Sequence, residues 1–207
     1  ETPEELIPQF SLAREYLTAH NITWYEVEGY EGDDIIGTLV DFGEKNNLKV
    51  SVYTGDKDAF QLISPQTTIY RTVKGVTELD IYNEQTLLDK YGLKPDQIRD
   101  FLGLMGDTAD NIPGIKGIGE KTALKLLHQY ETIEGLEEHQ NELKGKMGEK
   151  IRAGMEDALM SKKVATILRD VPLDVDLKKA EYEGYDYDTL KSFYETYDMN
   201  SLIKSMT

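Results

Sequence analysis

Apolar and polar positions follow two rhythms along the chain, and the rhythm changes near Tyr82–Asn83. Thr2-Pro3-Glu4-Glu5 offers an N-cap, a proline suited to the first helical position and a glutamate closing a capping box, which predicts a helix to about His20. Trp24–Val27 reads as a short strand. Behind GYEGDD, residues Ile35, Ile36, Leu39, Val40 and Phe42 line one side of a helix. Residues 48–54, LKVSVYT, set Leu48, Val50 and Val52 at alternate positions and read as a strand, with a short helix over Phe60–Ile63. This β-α-β-α order predicts a parallel, doubly wound sheet. Thr67–Val73 and Val76–Tyr82 flank Lys74-Gly75 as a hairpin or irregular pair at one edge.

From Asn83 onward the spacing is helical. Asn83 caps a helix over Glu84–Tyr91, Gly92 stops it, and Pro95 starts another that runs to about Met105. Glu120–Tyr130 reads as a helix with Ala123, Leu126 and Leu127 inward. Further helices are predicted over 132–138, 147–168 and 188–206, with VPLDVD at 171–176 extended. The expected organisation is an α/β part over 1–82, carrying two acidic clusters, and a helical lobe over 83–207, sharing a core as one unit.

Composition narrows the class. A chain of 207 residues with 39% apolar content can bury a core without covalent staples. The absence of cysteine excludes disulfides, zinc–thiolate sites and iron–sulfur clusters, so any metal is a hard one. No run approaches the roughly 18 apolar residues of a membrane span. ETPEELIPQF is acidic rather than a basic signal sequence, so no membrane partner and a cytoplasmic location are expected. A net charge of −16 counts against nucleic acid as a partner, because phosphate contacts dominate such binding. Divalent ions invert the sign of a carboxylate cluster, however, and whole-chain charge says little about a stripe such as Lys116, Lys121 and Lys125.

The candidate chemistry lies in three acidic clusters, Glu31/Asp33/Asp34, Asp56/Asp58 and Asp107/Asp110. Asp56 and Asp58 follow a strand, where ligands collect in α/β sheets, although an aspartate there also caps the next helix. TGDKD lacks the further ligands of a calcium loop. Acids in the first turn of a helix suit its dipole, which explains any one of Glu31, Asp33 and Asp34. Three together repel unless a cation compensates. Asp107 and Asp110, three apart, would share a face in a helical turn. Glycines then follow at 114, 117 and 119, permitting positive φ and close backbone approach. The helix after Gly119 opens its N–H groups to phosphate, with Lys121 and Lys125 one turn apart. An ordinary helix-turn-helix is the plain alternative, but such turns need one glycine rather than a series.

GYEGDDIIGTL, VYTGDKDAFQL and GLMGDTADNIPGIKGIGEKTALKLL, in this order and spacing, resemble the 5′-nuclease domain of bacterial DNA polymerase I and its stand-alone 5′–3′ exonuclease relatives in the flap endonuclease superfamily. The resemblance covers essentially the whole chain. It implies a resolvase-like, PIN-like α/β core with a helix-three-turn-helix lobe, and phosphodiester hydrolysis at a 5′ end, flap or nick on two Mg²⁺, for which Mn²⁺ can substitute. By the same resemblance Glu31 and Asp33 would bind the first ion, Asp34 would support them, and Asp56, Asp58, Asp107 and Asp110 would surround the second. Gly114, Lys116, Gly117, Gly119, Lys121, Thr122 and Lys125 would bind duplex DNA, with K⁺ held by carbonyls of Gly114, Ile115 and Ile118. The family usually opens with aspartate-bearing strands and a basic arch that this sequence does not contain, so the core is expected to be incomplete and the fragment alone weak or inactive. A polymerase domain in cis after Thr207 and a monomeric state are further expectations.

Two other readings stand beside this one. A non-catalytic duplex-binding module with structural Mg²⁺ would bind DNA without cutting it. An acidic Ca²⁺ buffer would bind calcium and no DNA.

Overall fold

A computed structural model of the chain describes residues 3–75 and 77–206. Thr2 of the predicted cap and Val76 at the start of the predicted edge strand lie outside them. In chain order the elements are α1 (Ile7–Ala19), α2 (Gly32–Lys45), β1 (Val50–Thr54), β2 (Thr67–Lys74), β3 (Glu78–Tyr82), α3 (Glu84–Tyr91), α4 (Ile98–Met105), α5 (Glu120–Tyr130), α6 (Ile133–His139), α7 (Gly145–Ala165), α8 (Leu177–Ala180), α9 (Tyr187–Thr196) and α10 (Asn200–Ser205). Single 3₁₀ turns cover Asp58–Leu62, Pro95–Gln97 and Gln140–Glu142. The chain forms two compact units, one from residues up to Gly29 together with those from Pro172 onward, the other Tyr30–Val171. No helix among the described residues is long and apolar enough to cross a membrane.

In the smaller unit α1 begins at Ile7 behind Leu6, not at Pro3, with Pro8 in its first turn. Trp24–Val27 forms no strand. Its side chains fold back on α1 instead: Trp24 Nε1 donates to Thr18 Oγ1 at 3.1 Å and Arg14 bonds Glu26 at 2.8 Å. The helix predicted over 188–206 is two helices, because Asp198 takes a positive φ of 53° between α9 and α10. Tyr194, buried, donates to or accepts from His20 Nε2 at 2.7 Å and so ties α9 to α1.

The larger unit holds the sheet, ordered β1-β2-β3. β1 and β2 are parallel, with Val52 beside Ile69, whereas β3 returns antiparallel to β2. The α/β core therefore carries a mixed sheet: β1 and β2 are the expected parallel pair, and β2 and β3 form the hairpin expected at one edge, where Lys74-Gly75 turns the chain back without the crossover that a parallel neighbour needs. Val52, Ile69 and Tyr82 face the core, which continues without a break through Leu87, Leu104, Leu127 and Ile151 of the helices. Asn83 Oδ1 accepts from Thr86 N as the predicted cap of α3, and Gly92 ends that helix at φ +65°.

Side-chain bonds to backbone hold the segment after α7 in place. Buried Gln61 donates to Ala165 O and accepts from Ile167 N, both at 2.9 Å. Thr38 Oγ1 accepts from Val171 N at 3.0 Å. Among the helices, buried Asp100 accepts from Ile133 N at 2.9 Å and from Lys162 Nζ at 2.6 Å, and Lys162 also reaches Glu134 at 2.7 Å. Burial raises the Asp100 carboxyl while Lys162 and the Ile133 N–H oppose it.

Candidate functional site

Members of all three acidic clusters lie within electrostatic reach of one another beyond the end of β1. Asp33 and Asp34 are in the first turn of α2, whose N-cap residue is Glu31; the Glu31 side chain makes no capping bond and is exposed. Asp56 and Asp58 follow β1 across Gly55. Asp56 Oδ1 accepts from Asp58 N at 2.9 Å, so one of its oxygens closes the turn. Asp107 and Asp110 do not lie on a helical turn. α4 stops at Met105, Gly106 takes φ +75°, and residues 107–112 form a tight loop closed by paired bonds between Asp107 and Ile112 at 2.9 and 2.7 Å. Asn111, at φ +57°, lets that loop turn.

Charge coupling shows which carboxylates the fold brings together. Burial, then the charges of Asp56, Asp107, Asp110 and Asp33, push the Asp58 carboxyl up to about 7. Asp33 is raised by burial and then by Asp56, Glu31, Asp110 and Asp34. Asp110 is raised by burial, Asp107 and Asp56. Like charges crowded in this way oppose ionisation. Asp34 is turned elsewhere: its Oδ1 accepts from Leu168 N at 2.9 Å, fixing the start of α2 against the segment after α7.

The donor set suits a hard divalent cation, because it is all carboxylate and the raised Asp33, Asp58 and Asp110 show the cost of gathering these groups without one. Among the described residues, however, no three His, Asp or Glu side chains stand close enough to form a ready cage. The fit is one of chemistry and charge, and closing on an ion requires the exposed side chains to rotate inward.

A cavity of about 460 Å³ opens between Asp56, Asp58, Asp107 and Asp110. Its wall also includes Lys57, Arg71 and Glu120, with Tyr91, Phe101 and Met105 as apolar surface. None of these six stood out in the sequence. Glu120 reads there as an ordinary first-turn acid, and Arg71 as one polar residue in a β-branched strand.

Beside the acids, residues Gly114–Gly119 connect to α5. The glycines divide by role. Gly114, at φ +58°, is buried against Gly106, and its N–H donates to Ser161 Oγ at 3.0 Å. Gly117 takes φ +83° and is exposed. Gly119 is extended at φ −104°, so the positive φ expected of it is not needed. The side chains of Ile115 and Ile118 are buried, and Ile118 N donates to Ile115 O at 3.0 Å. No side chain caps α5, whose first N–H groups lie open beside exposed Lys116, Lys121 and Lys125, with Thr122 half-buried.

An acidic crevice at a strand end, backed by an uncapped helix after a glycine turn, is a setting in which divalent cations and phosphate can be held together, as in proteins that act on phosphodiesters. The profile of the 5′-3′ exonuclease N-terminal resolvase-like domain matches residues 1–92, and that of the 5′-3′ exonuclease C-terminal SAM fold matches residues 93–188. The chain belongs to the 5′-3′ exonuclease family. DNA polymerase I of Bacillus subtilis is 44% identical over 206 residues, which are 99% of this chain and 23% of that protein. The chain thus spans about a quarter of the length of the curated relatives it matches. Among solved structures, phage T5 5′-exonuclease with bound zinc superposes with a TM-score of 0.69 at 20% identity, covering 95% of this chain and 71% of the other. The phage T5 flap endonuclease in a pseudo-enzyme–product complex with DNA and metal ions superposes at 0.65 and 18% identity, covering 97% and 68%. At these identities the superpositions speak for the fold.

Proposed function

We propose that this chain is the divalent-metal-dependent 5′-nuclease portion of a longer protein and acts on DNA at a 5′ end, flap or nick. The observation that carries the reading is the electrostatic coupling of Asp33, Asp56, Asp58, Asp107 and Asp110 in one crevice. Glu31 and Asp33 would hold one cation and Asp56, Asp58, Asp107 and Asp110 a second, Mg²⁺ or Mn²⁺. Bound there, such ions supply an activated water and a charge sink for the leaving oxygen. No protein nucleophile is needed, and the carboxylates' task is to hold and orient. Asp34 positions α2 rather than joining the ligands. Duplex backbone would rest on Gly117, Gly119 and the open N-terminus of α5, with Lys116, Lys121, Thr122 and Lys125 at the phosphates. Carbonyls of Gly114, Ile115 and Ile118 would seat a K⁺ ion between turn and DNA. The length of the relatives supports a polymerase region in the same polypeptide.

Single-turnover cleavage of a 5′-flap substrate in Mn²⁺ tests the reading. Metal-dependent product is expected, slow from this chain and faster from a chain extended upstream, and none from an Asp56→Ala/Asp110→Ala variant that still binds the duplex. Tight duplex binding with no cleavage by either chain in any divalent ion would favour the non-catalytic module instead.

A further inference from the structure

Arg71 lies on β2 opposite Thr54 of β1 and Asp80 of β3. Alternation along β2 turns it to the same side as buried Ile69, and its side chain lines the cavity beside Asp58. Its cross-strand neighbour is already engaged: Lys90 Nζ stands 3.5 Å from the Asp80 carboxylate and 3.2 Å from the Tyr82 hydroxyl. Arg71 Nε is buried with no hydrogen-bond partner, the sole such side-chain atom among the described residues. Among the described residues no carboxylate forms an ion pair with the guanidinium, although Asp56, Asp58, Asp107, Asp110 and Glu120 share the cavity wall.

A guanidinium cannot shed its proton, and a buried donor without an acceptor is costly. Its planar fork matches an anion that offers two oxygens. The rest of the wall narrows the choice, because Tyr91, Phe101 and Met105 give an apolar surface that a bare inorganic anion would not use. A free anion would also be repelled by the carboxylates, whereas a phosphate that arrives with divalent ions meets an inverted field.

We propose that Arg71 is a substrate-positioning residue that grips a phosphate of the DNA strand inside this cavity, with the attached sugar and base against Tyr91, Phe101 and Met105. The assignment rests on the nuclease reading and adds to it a contact on β2, away from the glycine turn and its lysines. It gives the strand a second hold close to the carboxylates, whereas the glycine turn holds the duplex.

The test is fluorescence anisotropy of a 5′-phosphorylated nicked duplex with the full chain in Ca²⁺ across a salt series, paired with calorimetric titration of Mn²⁺ without DNA. Arg71→Met is expected to bind DNA on the order of tenfold more weakly. Its salt slope should fall by about one unit. Mn²⁺ affinity should stay that of the parent. Arg71→Lys should keep the slope and lose part of the affinity, since an ammonium is a point charge and not a fork. Parent-like affinity in Arg71→Lys, together with a parent-like slope in Arg71→Met, overturns the assignment while the parent's own DNA binding leaves the nuclease reading intact. Tighter Mn²⁺ binding by Arg71→Met without a change in DNA affinity also overturns it, making Arg71 a countercharge for the acids. If Arg71→Met does not fold, the affinity of Arg71→Lys decides alone. Failure of the parent to bind the duplex at all would instead remove the nuclease reading beneath the proposal.

Discussion

The three glycines of the turn look alike in the sequence, yet their surroundings predict different responses to a single added methyl. In Gly114→Ala the new Cβ would lie 2.3 Å from Gly106 N, 2.6 Å from Met105 C and 2.8 Å from Gly106 Cα, all backbone atoms that no rotamer change can move. A left-handed alanine costs about 1–2 kcal/mol by itself. Relieving the clash draws the turn away from α4, which breaks the bonds from Gly114 N to Ser161 Oγ and from Ile115 N to Leu104 O. Those two together contribute about 2 kcal/mol. The sum, roughly 3–4 kcal/mol, falls in the tail reached by few point substitutions. For a chain of this size it corresponds to a Tm lower by roughly 6–16 °C. In Gly117→Ala the Cβ meets only Lys150 Nζ, at 2.8 Å, and that ammonium can swing away, so the cost is the left-handed backbone, about 1–2 kcal/mol. In Gly119→Ala nothing lies within 4 Å and φ is negative, so stability should stay within about 0.5 kcal/mol of the parent. Thermal and urea unfolding of the three variants measures the series. Equal losses at all three positions, or a tolerant Gly114, would refute the division of roles drawn from the packing.

Mn²⁺ should raise Tm more than NaCl of matched ionic strength, by about 2.7 kcal/mol of stability at a hundredfold excess over Kd, and the increment should vanish in Asp56→Ala/Asp110→Ala; equal shifts from both salts would remove the metal site. Lys121→Ala and Lys125→Ala should each lower the salt slope of duplex binding by about one unit, read by anisotropy, with no change in sequence preference. Asp100→Ala should destabilise the chain by about 3 kcal/mol in urea titration, because it strands one partner of a buried ion pair and frees Ile133 N, although Glu134 still receives Lys162.

The helical lobe was the easier part to read from sequence, since Asn83 and Gly92 carry their own start and stop signals and the apolar spacing of α5 is regular. Trp24–Val27 misled because a β-rich tetrapeptide says nothing about whether a partner strand lies beside it. The i, i+3 spacing of Asp107 and Asp110 suggests a helical turn, but the two come near each other in a tight loop, and the positive φ of Gly106 and Asn111 that makes the loop is a backbone property the spacing does not carry. The convergence of distant acids on one crevice is suggested by three motifs at strand and helix ends. The place of Arg71 in the same crevice is not, since it depends on strand register and on Lys90 having taken Asp80.

α7 has neighbours at several levels along its length. Lys150 stands against Gly117, Gly154 against Ile115 and Ser161 against Gly114, while Ala165 at its end is held by Gln61, three residues beyond Asp58. From Lys150 to Ala165 the helix rises about 22 Å. The turn proposed to grip duplex lies along this rod from Lys150 to Ser161, and the segment behind the second acidic cluster is fixed about one helical turn further on, at Ala165, so both are set by one helix and not by the slack of a loop. On the proposed nuclease reading a rod of this kind would serve as a gauge: DNA held along the turn would reach the acids at a set distance, and bending the rod would be expected to move the position of the cut before its rate.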